Sequence, residues 1–89
     1  MTVYYFDTSV LVKLYINEPG SIWVDQTVNA ANPSGMRKNL VVVSKLGLPE
    51  AAAAFGRRLR MRDITAIQHK TLLKALLNDF KSKFRTLSV

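Results

Sequence analysis

An 89-residue chain with a net charge of +7, 48% hydrophobic residues and no cysteine has room for one domain and one small core. The missing thiols exclude a disulfide framework, a zinc–thiolate site and a cysteine nucleophile. No apolar run approaches the roughly 20 residues of a membrane span, and the N-terminus has no basic segment followed by an apolar one. The expectation is a cytoplasmic protein without membrane association.

Taken in chain order, Val3 to Phe6 is a β-branched and aromatic run that predicts a buried strand over residues 3–7. Tyr4 and Tyr5 point to opposite sides of it. Val10, Leu11, Leu14 and Tyr15 share one face of a predicted helix over 9–16, which ends at Asn17-Glu18-Pro19-Gly20. A second helix, 21–29, carries Ile22, Trp23, Val24 and Val28, with Trp23 assigned to the core or a dimer interface. The Asn-, Pro-, Ser- and Gly-containing stretch from Asn29 to Asn39 is a loop. A second buried strand covers 40–44. A third helix, 50–61, buries Ala51, Ala54, Phe55 and Leu59, with Pro49 suited to its start. A fourth, 64–82, places Ile64, Ile67, Leu73, Leu76, Leu77, Phe80 and Phe84 near one face, with Asp63 as its cap or near it. Residues 85–89 begin a third strand. Strands alternating with helices imply a parallel sheet in an α/β fold.

Two carboxylates stand out by position. Asp7 lies where the first strand stops and a helix starts, the end of a strand at which ligand chemistry collects in open α/β sheets. Such a carboxylate suits a hard cation, and it equally suits an N-cap, since Asp and Thr both cap well. Glu50 lies in the first turn of the third helix, where the dipole favours negative charge. If the two strands are neighbours, Asp7 and Glu50 share one divalent ion. The remaining acids, Glu18, Asp25, Asp63 and Asp79, lack a strand-end context and read as surface. His69 is the sole histidine and reads as an ordinary helical residue.

Charge is unevenly placed. Residues 1–36 contain one base, Lys13, and three acids, whereas residues 37–89 contain twelve bases and three acids. Arg57, Arg58, Arg60 and Arg62 gather at the end of the third helix, where they complement its dipole or form an electrostatic footprint for RNA phosphate.

In their order, these residues resemble the start of a PIN domain, and more narrowly the VapC-type ribonuclease toxins of toxin–antitoxin systems. The resemblance rests on Asp7-Thr8-Ser9 after an aromatic strand, Lys13-Leu14-Tyr15, and Glu18-Pro19-Gly20-Ser21 before Trp23-Val24. It continues in Ser44-x-Leu46-x-x-x-Glu50 and Arg57-Arg58-Leu59-Arg60. It implies a three-layer α/β/α architecture and endoribonuclease activity in which an acidic cluster holds Mg2+ or Mn2+ and water attacks the phosphodiester. On that resemblance Asp7 is a metal ligand, Glu50 a second acid of the cluster, and Ser9 orients Asp7 or a metal-bound water. Arg57, Arg58 and Arg60 contact RNA, the partners are an RNA substrate and an antitoxin protein, and a homodimer is possible in such toxins. The family carries further acids on a later strand and helix that have no counterpart before Val89. The expectation is therefore a single, partial PIN-like domain over 1–89, incomplete at the C-terminus, with the family's activity impaired or lost. The alternative is a non-catalytic remnant or a basic module that binds RNA or protein.

Overall fold

The computed structural model describes residues 2–88. They form β1 (Thr2–Phe6), α1 (Thr8–Val12), α2 (Ser21–Asn29), β2 (Asn39–Ser44), α3 (Gly47–Arg60), α4 (Ala66–Ser82) and β3 (Arg85–Leu87). The three strands make one parallel sheet in the order β1-β2-β3. The α/β class and the parallel sheet are as the sequence implies; Val89 of the predicted third strand lies outside the described residues.

Register decides which side chains share a face. Tyr4 lies beside Val41 and Phe6 beside Val43, and these four pack against the helices. Leu11 and Val12 of α1, Val24 and Val28 of α2, Ala51 and Phe55 of α3 and Leu76 of α4 join them in one cluster. The opposite face carries Val3 and Tyr5 of β1 and Leu87 of β3, all exposed, with Tyr5 at 72%, around a buried Val42 of β2. The described helices all pack on the first face, so among the described residues there are two layers rather than the three that the resemblance implies. The geometry follows from topology: strands laid down in sequence order through crossovers of one hand carry every crossover on the same side.

The α1 segment is shorter than its apolar pattern suggests. After Val12, successive i→i−3 bonds (Lys13 N to Val10 O, Leu14 N to Leu11 O, Tyr15 N to Val12 O) tighten the chain, which keeps Ile16 buried. Gly20 then closes the turn with φ 94°, a left-handed conformation that suits glycine. α3 starts three residues earlier than predicted, so Pro49 sits within its first turn, where no intrahelical N–H is needed. α4 starts later, at Ala66. Thr65 rather than Asp63 is its N-cap, in a reciprocal box in which Gln68 N donates to Thr65 Oγ1 and Thr65 N donates to Gln68 Oε1. The buried stripe of α4 is Leu72, Leu73, Leu76 and Phe80, whereas Ile67 and Leu77 face outward, Ile67 at 80% exposure. On α2, Val24 and Val28 are buried, Ile22 is exposed, and Trp23 is half-exposed with its ring edge against Tyr4.

Candidate functional site

The site is built at the carboxyl ends of β1 and β2. Asp7 is the first residue beyond β1 and caps α1. Its backbone is extended (φ −77°, ψ 175°), and its Oδ1 accepts from Val10 N at 3.0 Å and from Ser9 Oγ at 2.8 Å. Oδ1 is thus the cap, and Oδ2 accepts from no donor among the described residues. The two hydrogen bonds, that from Val10 first, stabilise the ionised form and hold the carboxyl below its ordinary value of 3.8. Asp7 is thus an anion throughout the neutral range.

Glu50 reaches the same place from the other crossover. It lies in the first turn of α3, and its Oε1 accepts from Thr8 Oγ1 at 2.8 Å. That bond spans 42 positions in sequence and ties the start of α3 to the start of α1. Phe6, Asp7, Thr8, Ser9, Ser44, Gly47 and Glu50 line one open cleft of about 390 Å3. Asp7, Ser9 and Glu50 thereby line the same cleft. Thr8 is the residue that sequence reasoning left without a role. It stands inside the Asp7-Thr8-Ser9 motif, but nothing local signals a partner on α3.

The donor chemistry bears on a metal. One free carboxylate oxygen from each of Asp7 and Glu50, with hydroxyls nearby, is an all-oxygen set of the kind Mg2+ and Mn2+ take. Among the described residues no group of three or more acidic, histidine or cysteine side chains converges. Two acidic side chains on one open cleft would leave a divalent ion most of its water, as Mg2+ commonly keeps, and they do not form a closed cage.

The basic residues separate into two kinds. Arg58 is spent on structure: its Nη2 donates to Glu18 Oε2 at 2.8 Å, and its Nη1 lies 3.7 Å from Asp63 Oδ2. Lys13 Nζ meets the other Glu18 oxygen at 3.3 Å. Arg57 and Arg60 are exposed on α3 and have no carboxylate partner among the described residues. Of the three arginines assigned to RNA from the sequence, two are free to meet an anion and Arg58 already holds two.

Comparison with protein-family models, curated proteins and solved structures gave no match. No described helix is long and apolar enough to cross a membrane. The functional reading therefore rests on the cleft and on the motif order.

Proposed function

We propose that the chain is a divalent-metal-dependent ribonuclease of the PIN and VapC type, with its centre at Asp7 and Glu50 and with weak metal affinity. The observation that carries the reading is the convergence of two carboxylates from separate crossovers on one cleft, fastened by the bond from Thr8 to Glu50. The resemblance of Asp7-Thr8-Ser9 and the later Glu50 to the family pattern supplies the reaction class.

Asp7 and Glu50 would hold Mg2+ or Mn2+, which when bound acidifies water and neutralises charge on a phosphodiester. The chain's own residues supply the framework. Ser9 fixes the Asp7 rotamer through Oδ1, leaving Oδ2 for the ion. Thr8 fixes Glu50 in the same manner. The α1 cap holds Asp7 against the strand end, so neither carboxylate needs to be ordered when substrate arrives. With only these two side chains to hold it, the ion would be bound with low affinity.

The test is cleavage of single-stranded RNA by the purified chain at millimolar Mn2+, beside Glu50→Gln. Cleavage by the parent and not by the variant supports the reading. Equal cleavage by both overturns it. One observation favours a second reading: with Arg57 and Arg60 exposed and without a carboxylate partner among the described residues, the chain would act as a basic module that binds RNA without cutting it. RNA binding with no Mn2+-dependent cleavage selects that alternative.

A further inference from the structure

The acidic cleft does not end at Ser9. A second groove, of about 540 Å3, runs between α1 and α3 and has Thr8 and Ser9 on its wall in common with the first. Its charged residues are Lys13, Glu18, Arg57 and Arg58. Three cations and one carboxylate line it, and both oxygens of that carboxylate are engaged, Oε1 by Lys13 and Oε2 by Arg58. Glu18 is thereby neutralised within the groove. Arg58 is drawn towards Glu18 and Asp63. Lys13 keeps ammonium protons beyond the one it gives Glu18, and Arg57 keeps its whole guanidinium.

We infer that this α1–α3 groove is the track for the sugar–phosphate backbone next to the scissile phosphate, with Arg57 as the principal phosphate contact and Lys13 as the second. The inference rests on the ribonuclease reading of the adjoining cleft and goes beyond it by naming where the flanking strand lies. Its occupant is single-stranded RNA, an anion of regular charge spacing that follows an electropositive groove and gives up counterions as it binds. Contiguity is the argument: a backbone leaving the Asp7–Glu50 cleft past Ser9 enters a channel of opposite charge. Arg58, although next in sequence to Arg57, belongs to the wall of that channel and contributes order rather than affinity. Arg60 lies outside it.

The experiment is fluorescence anisotropy of a short single-stranded RNA with the full chain in EDTA, repeated across a salt series for the parent, Arg57→Gln, Arg58→Gln and Arg60→Gln. Each lost phosphate contact lowers the slope of log K against log salt by about 0.7 for a single strand. The expected result is a reduction of about that size in Arg57→Gln, an unchanged slope in Arg60→Gln, and an unchanged slope with a lower melting midpoint in Arg58→Gln. Equal effects in Arg57→Gln and Arg60→Gln would mean diffuse charge attraction and overturn the inference, as would absence of RNA binding by the parent. Because no metal is present, failure of the cleavage reading is scored separately: an Arg57-specific slope without Mn2+-dependent cleavage leaves the groove in place and removes the catalysis.

Discussion

Asp7 performs two tasks through two oxygens, and substitution can separate them. In Asp7→Asn the side-chain carbonyl oxygen still accepts from Val10 N and Ser9 Oγ, and Asn ranks with Asp as an N-cap. In Asp7→Ala both bonds are lost. α1 is only five residues long, and Asp7 is the side chain that caps it, so burial of Leu11 and Val12 depends on that start. Loss of an N-cap costs about 1 kcal/mol, which for a domain of this size lowers the melting midpoint by about 4–8 °C. Asp7→Asn should retain most of that stability. The metal response divides the variants differently. Mn2+ at about ten times its dissociation constant stabilises the parent by about 1.4 kcal/mol, a rise of about 6–11 °C on the same scale, and both variants lose it. The assay is thermal melting with and without Mn2+. Asp7→Asn that still responds to Mn2+, or that falls as far as Asp7→Ala, refutes the division of labour between Oδ1 and Oδ2. The pH dependence has a fixed sign. A carboxyl whose native pKa lies below 3.8 contributes stability that is fully present above that value and is lost as pH falls through the depressed native one. The parent midpoint should therefore drop more steeply than that of Asp7→Asn between about pH 5 and pH 2.

Thr8→Val should weaken Mn2+ binding with little change in the melting midpoint of the metal-free protein, and Thr8→Ser should restore it, as read by titration calorimetry; equal affinity in all three would remove Thr8 from the site. Tyr15 is half-buried, its ring edge lies against Phe55, and its hydroxyl donates to Asp79 Oδ2 at 2.7 Å. Burial first, and then the Asp79 carboxylate, raise its pKa far above the usual phenol range. Tyr15→Phe leaves the half-buried Asp79 with Lys83 alone at 3.6 Å and should cost about 1.5–3 kcal/mol in denaturant unfolding, the range for a hydrogen bond to a charged group. At the end of α3, Arg62 N donates to Leu59 O and Asp63 N to Arg58 O, a Schellman closure that places Arg62 at φ 61° where glycine is favoured. Arg62→Gly should raise stability in the same assay, because relief of about 1–2 kcal/mol of left-handed strain exceeds about 0.4–1 kcal/mol of added unfolded-state entropy, and a loss of stability would show that the arginine side chain compensates for its backbone.

The order of elements, the parallel sheet and the strand-end position of Asp7 are legible in the sequence because they follow from short-range rules. Apolar runs make strands, 3.6-residue periodicity makes helices, and a carboxylate before Thr8-Ser9 makes a cap. The core of α3 was legible for the same reason, since Ala51 and Phe55 recur at helical spacing and are both fully buried. Element ends were less legible. Thr65 takes the α4 cap from Asp63 because Gln68 three positions on completes a reciprocal box. Apolar residues outnumber buried places on α2 and α4, so Ile22 and Ile67 carry core-like side chains into solvent. What only the tertiary structure decided is pairing across sequence distance. The bond from Thr8 to Glu50, the capture of Arg58 by Glu18 and the exposure of Tyr5 each depend on how the crossovers pack and on which strands become neighbours. A sequence fixes which residues carry charge or hydroxyls; whether two of them meet 42 positions apart is set by the register of the sheet and the packing of α1 on α3.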